Sequence, residues 1–264
     1  MKRTHLTSSL LSACLCAGAL HADDSLINPC YGPDKHEFFS ETNITRAFLR
    51  YRNYKVDYNV VWQGFYYGLG EEWTLCVGGA EYWYKHRIYF DGDSLRFHLR
   101  DQGLFTGVWY YHTFGDNDAY GLEGYYNTIR SIGISTEASY TLNTYYCHRF
   151  ESVGITTQLR FMMDAPASRG RYNDPVYHYE LAAYAKLGES TGLQWQLYAE
   201  HECSTGQVCA AYSCVSIGYQ FNDHLGVIFG ITNMLHDWGR TWHGIPYLPM
   251  DRGTGFNTSI RILF

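Results

Sequence analysis

The chain is short of charge. Lys, Arg, Asp and Glu together make up 17% of its 264 residues, against about 25% in an ordinary globular protein. The 20 Lys and Arg and the 26 Asp and Glu leave a formal charge of −6 and a pI of about 6.0. Such a balance gives no electrostatic footprint for nucleic acid, which is excluded as a partner. Proline is also sparse, with Pro 6 beside Gly 26, and collagen-like or low-complexity disordered chains are excluded with it. Past the first residues there is no apolar run long enough for a transmembrane helix. Apolar spacing at the helical period is missing too, which excludes a helical bundle. What the chain has in quantity is aromatic: Tyr 25, Phe 14 and Trp 7.

The N-terminus reads as a targeting segment. Met1-Lys2-Arg3 supplies a positive start and Leu6 to Leu20 a short apolar stretch. Ala17-Gly18-Ala19 and Leu20-His21-Ala22 are small-residue cleavage candidates. Residues 1–22 are therefore expected to be a secretory signal peptide, removed before folding. A rival reading takes Leu11-Ser12-Ala13-Cys14 as a lipoprotein box with a lipidated Cys14. Residues 23–42 hold Pro29, Gly32 and Pro33, show no sustained alternation, and read as a periplasmic or plugging N-terminal arm.

From Asn43 to Phe264, period-two alternation dominates, the signature of strands with two unlike faces. Tyr54, Val56, Tyr58, Val60 and Trp62 alternate with Lys55, Asp57, Asn59 and, past the out-of-type Val61, Gln63. Segments 132–142, 152–163, 177–187 and 193–203 behave alike. They run longer than the usual globular strand of about 5–6 residues and reach the roughly 9–11 that a tilted strand needs to cross a bilayer. Short links such as Gly188-Glu189-Ser190-Thr191 and Asn222-Asp223-His224 alternate with long ones at 164–175 and 236–252. Twelve segments are expected, with ten to fourteen allowed by doubtful breaks at Arg52-Asn53, Asp101-Gln102-Gly103 and within 119–147. The alternative is a soluble β-sandwich.

The last residues put Phe256, Ile260, Ile262 and Phe264 on one face and end on an aromatic. Joined to the leader, the long alternating strands and the abundant Tyr and Trp, this resembles the C-terminal assembly signal of Gram-negative outer-membrane β-barrel proteins. The resemblance is to the class and covers residues 43–264. It implies an all-β, antiparallel, up-and-down transmembrane barrel in the outer membrane, delivered by the barrel assembly machinery through Phe264 and surrounded by outer-membrane lipids. Such a barrel closes because lipid supplies no hydrogen bonds to a free strand edge. Trp73, Tyr82, Trp83, Tyr84, Trp109, Tyr110, Tyr125, Tyr126, Tyr145 and Tyr146 are candidates for aromatic girdles at the membrane surfaces.

The polar set is then assigned to the lumen: Arg46, Arg50, Lys55, Asp57, Arg96, His98, Arg100, Glu123, Glu137, Arg160, His178, Glu180, Lys186, Glu200, Glu202 and Arg261. Bases near the first strands and acids at Glu180, Glu200 and Glu202 would set a transverse field across a pore. The favoured expectation is porin-like passage of small polar solutes. The alternatives are a lumen filled by salt bridges, a rim enzyme acting on lipids, and a structural or adhesive barrel working through its long loops. An enzyme would rest on His201 with Ser204 or Ser213, but nothing fixes a third group to orient the imidazole. No cofactor is expected. The His and Cys spacings resemble no metal site, and His236-Asp237-Trp238 and Trp242-His243 read as loop residues. Cys203 and Cys209 flank a five-residue link and are a possible disulfide, with Cys203–Cys214 the competing pair.

Overall fold

The computed structural model describes residues 26–27, 32–90, 93–115, 117–131, 135–150, 153–164, 176–202, 208–237, 241–242, 245–246 and 251–264. The signal peptide read at 1–22, the lipobox at Cys14, Cys30, Cys203, Ser204 and most of both long links lie outside the described residues, as do the side chains of Glu137, His201, Glu202 and Cys209.

Twelve antiparallel strands form a closed barrel: β1 (Phe38–Tyr51), β2 (Tyr54–Gly68), β3 (Trp73–Phe90), β4 (Asp93–Phe114), β5 (Asp118–Ser131), β6 (Ser135–Phe150), β7 (Val153–Asp164), β8 (Val176–Lys186), β9 (Thr191–Glu202), β10 (Val208–Asn222), β11 (Leu225–Asp237) and β14 (Arg252–Leu263). The short β12 (Thr241–Trp242) and β13 (Ile245–Pro246) pair with each other in the link before β14. Each barrel strand pairs with its neighbours in sequence, and β14 closes the ring onto β1 with Asn43 opposite Ser259. No helix occurs among the described residues. Of the doubtful breaks, Arg52-Asn53 is a two-residue hairpin between Tyr51 and Tyr54, a length that favours Asn. Asp101-Gln102-Gly103 runs straight through β4, and the 119–147 stretch divides between Ser131 and Ser135. The first strand starts at Phe38, ahead of the expected Asn43.

Because the strand number is even, both termini lie at one end, with five short links beside them. There the Phe264 amide donates to the Phe38 carbonyl at 2.9 Å, and their rings lie 5.4 Å apart. At the β4–β5 link the chain reverses through Gly115 at φ 67°, a left-handed conformation that glycine adopts without strain.

The outside is a belt of exposed apolar side chains, among them Ile44, Phe65, Val77, Leu104, Leu142, Leu159, Ile217 and Phe229. Leu104, 69% exposed in mid-strand, has no place in a water-facing sandwich. The inner positions are packed, and glycine makes room where rings cross the lumen. A Cβ on Gly78 would stand 2.2 Å from the Phe105 ring, and one on Gly121 would stand 1.8 Å from that of Tyr145.

Near the termini, inside the wall, Arg261 Nε donates to Glu41 Oε2 at 3.1 Å across the β1–β14 seam, with side chains 5% and 8% exposed. Removing one member of such a pair strands the other charge. Glu41→Ala is expected to destabilise the barrel by about 3–5 kcal/mol, and Glu41→Ala with Arg261→Met to recover most of that loss. Urea unfolding of the refolded protein, followed by its heat-modifiable mobility on gels, measures both.

Candidate functional site

Side chains of one cross-strand row share a face, and the register here aligns an unusual set on the inner wall. Glu123 on β5 is opposite Asn143 on β6, Asn143 opposite Arg160 on β7, Arg160 opposite His178 on β8, and His178 opposite Glu200 on β9. All five are buried. Asn143 sits between the two charges because its amide both donates and accepts. Its Nδ2 donates to Glu123 Oε2 at 2.7 Å, and its Oδ1 accepts from Arg160 Nε at 2.8 Å. The Tyr125 hydroxyl also donates to Glu123 Oε2, at 3.1 Å. His178 Nε2 stands 3.8 Å from Glu200 Oε2. One row nearer the termini, Glu180 accepts from Gln196 Nε2 at 2.9 Å. Buried charge is costly unless neutralised and hydrogen-bonded; side chains from adjacent strands supply part of that here, while Glu123 Oε1 is buried without a hydrogen-bond partner.

Buried rings of β1–β3 join those of β9 and β10, strands separated from β1 around the barrel by β14 and β11. Tyr51, Tyr58, Tyr82, Tyr84, Tyr198 and Tyr212 join Leu49, Val56 and Val60 in one buried cluster. Tyr198 and Tyr212 stack at 4.8 Å. A second cluster nearer the termini holds Phe39, Trp62, Tyr66 and Trp109, and Leu26 from the N-terminal arm packs into it.

Leu26 is thus inside the barrel. Its amide donates to Gln220 Oε1 at 2.9 Å, and its carbonyl accepts from Arg261 Nη1 at 3.1 Å. Ile27 lies over Gly218 and Leu26 over Gly226: a Cβ on those glycines would fall 2.7 Å from Ile27 Cβ and 3.1 Å from Leu26 Cβ. Leu26 and Ile27 therefore take up part of the lumen at the end bearing the termini.

Of the residues assigned to the lumen from sequence, Glu123, Arg160, His178, Glu180, Glu200 and Arg261 point inward and are buried. Lys186 lies at the end of β8. Arg46, Arg50, Lys55, Asp57, Arg96, His98 and Arg100 do not line the lumen. They share the outward parity of Ile44, Val61 and Leu104, while Leu49, Val56 and Tyr58 of the same strands are inside. Alternation distinguishes two faces without saying which one is inner, and here the apolar set faces in. The transverse field expected from basic first strands is absent for the same reason. The girdle candidates divide as well: Trp73, Trp83, Tyr110, Tyr126 and Tyr146 face outward, and Tyr82, Tyr84, Trp109, Tyr125 and Tyr145 inward. Ser213 lies opposite Leu197 and accepts from Trp195 Nε1 at 3.0 Å, whereas His201 is opposite Val208, well along the hairpin. Ser213 and His201 are not brought together. Cys214 is a free thiol, which removes the Cys203–Cys214 pairing. Asn143 and the N-terminal Leu26 were not singled out from sequence. Their roles depend on register and on the path of the arm.

No family model matches the chain, and no curated protein matches it. Solved structures do. The COG4313 outer-membrane channel from Pseudomonas putida F1 is 13% identical, with a TM-score of 0.62 over 87% of this chain and 96% of that one. The KdgM porin in complex with disordered oligogalacturonate is 8% identical, with a TM-score of 0.51 over 85% and 99%. The translocator domain of the autotransporter NalP from Neisseria meningitidis is 10% identical, with a TM-score of 0.51 over 89% and 90%. The chain has the fold of Gram-negative outer-membrane β-barrels.

Asn143→Leu is expected to destabilise the folded barrel by about 3 kcal/mol, since it leaves Glu123 and Arg160 short of a bond in a buried site. Thr144→Leu, the next residue on the same strand but facing outward, is expected to be neutral or stabilising. Urea unfolding in lipid vesicles separates the two.

Proposed function

We propose that the chain is an outer-membrane channel for small polar solutes, with its termini in the periplasm and a narrow lumen lined by side chains. The observation that carries this reading is the buried row Glu123–Asn143–Arg160–His178–Glu200. A barrel with a purely mechanical role gains nothing from such a row, because apolar filling of equal volume is often neutral or stabilising relative to buried ion pairs. A conduit does need it: polar groups along one wall replace a solute's hydration as it passes. The similarity in fold to outer-membrane channels supports the same reading. The apolar belt suits outer-membrane lipids, and the terminal Phe264 suits delivery by the barrel assembly machinery.

In this reading the arm is the constriction. Leu26 and Ile27 occupy the periplasmic end, held by two hydrogen bonds and by contact with Gly218 and Gly226. Passage requires them to move aside. The mature chain in a planar bilayer is expected to give small unitary currents, and Leu26→Ser with Ile27→Ser to raise the unitary conductance several-fold. Glu123→Gln with Arg160→Gln is expected to change the cation-to-anion permeability ratio while the barrel stays folded on gels. Absence of current from both the parent and the arm variant, in protein shown to be inserted and folded, would refute the channel.

A further inference from the structure

The outer wall at the end remote from the termini carries a feature that the channel does not use. Arg252 on β14 is opposite Arg50 on β1, Arg50 opposite Lys55 on β2, Lys55 opposite Arg87 on β3, and Arg87 opposite Arg96 on β4. Five cations thus stand side by side on five adjacent strands, all with outward parity. Strands are spaced by about 4.8 Å, so the row spans roughly 20 Å of wall. The next rows toward the termini add Lys85 and His98, then Arg46 and Arg100. Two carboxylates answer them: Asp57 accepts from Arg50 at 2.5 Å, and Glu81 pairs with Arg100. Among the described residues no carboxylate pairs with Lys55, Lys85, Arg87, Arg96 or Arg252. On a chain whose net charge is −6 this is a local inversion of sign. Like charges directly opposite on paired strands are destabilising, so barrel stability does not account for the row.

Its surroundings identify what does. The row stands on the lateral wall, neither in the lumen nor on a link, just beyond the apolar belt that starts at Ile44, Val61 and Leu104. Aromatic rings are set among the cations: Arg46 lies 5.1 Å from the Phe48 ring, Lys55 lies 5.0 Å from that of Tyr89, and Arg100 lies 6.0 Å from that of Trp83. Cations and amphipathic rings beside an apolar belt are the composition of a surface at headgroup depth. The wall behind is packed, with Val56, Tyr58 and Tyr84 buried on its inner side, so the cations stand on a rigid base. Arginine's planar fork matches phosphate oxygens two at a time.

We infer that this stripe of Arg50, Lys55, Arg87, Arg96 and Arg252 docks the phosphate-bearing headgroups of lipids in the outer leaflet. The inference rests on the outer-membrane reading for the leaflet it faces, and on nothing about conduction. The full mature chain in detergent, examined by native mass spectrometry, is the test. Bisphosphorylated lipid A is titrated against the same lipid stripped of its phosphates. The parent is expected to hold the phosphorylated lipid at least tenfold more tightly than the stripped one. Lys55→Gln with Arg87→Gln and Arg96→Gln is expected to lose that preference, while unfolding without lipid at the same temperature as the parent or higher, because repulsion is relieved. Equal binding of both lipids by the parent, or an unchanged preference in the triple variant, would overturn the proposal, as would equally tight binding of a single-stranded oligonucleotide of matching charge. Bilayer current is unaffected by any of these results, so the channel and the lipid site fail separately.

Discussion

Backbone hydrogen bonding around a ring is the constraint from which the rest follows. A strand edge exposed to lipid leaves N–H and C=O groups without partners, at several kcal/mol each. The pairing of β1 with β14 along Phe39–Arg50 removes the last edge. Closure then divides the side chains into an outer set and an inner set, and twelve strands leave an interior between the filled eight-stranded barrel and the open sixteen-stranded one. That intermediate size explains the interior. There is room for a row of charged side chains bridged by Asn143 and for rings crossing over glycines. A short piece of chain at Leu26 takes part of what remains.

The two ends of the barrel differ in kind. At the end with the termini, the Glu41–Arg261 pair, the Arg261 contact with Leu26 and the Phe38–Phe264 contact hold the seam and the arm together. At the other end, β3 and β4 run past Ser131, where β5 stops, and raise a wall with tyrosines inside and cations outside. Inner packing and outer charge are thus two sides of one extension. The aromatic cluster stiffens a wall whose outer face its own charges would otherwise destabilise.

Class and strand number were legible because alternation is a property of single strands. The pattern at Tyr54–Gln63 marks β2 regardless of its partners, and the terminal Phe256–Phe264 pattern marks β14. The facing of a strand is less legible. Tyr54, Val56, Tyr58, Val60 and Trp62 look like a lipid-facing set and line the lumen instead, because a ring can be amphipathic inside as well as outside. Cross-strand register was not legible at all. Glu123, Arg160 and Glu200 each read as inward, but their alignment with Asn143 and His178 depends on where each hairpin turns, and the 119–147 stretch offers Gly121, Gly124 and Gly133 with no turn cluster to tell which of them marks the break. The same limit hid the stripe of Arg50, Lys55, Arg87 and Arg96, whose members are scattered in sequence and adjacent only through register.

Closure is the claim on which everything else depends, and it is open to direct measurement at the seam. Asn43 Nδ2 and Ser259 Oγ lie 2.7 Å apart, although 216 positions separate them in the chain. Cysteines placed at both positions, with mild oxidation after insertion into lipid vesicles, are expected to crosslink nearly completely and to give a circularised chain of altered mobility on denaturing gels. The off-register pair at Asn43 and Gly255 is expected to stay open. No crosslink at Asn43 and Ser259 in inserted protein, or equal crosslinking of the off-register pair, would contradict the closed barrel.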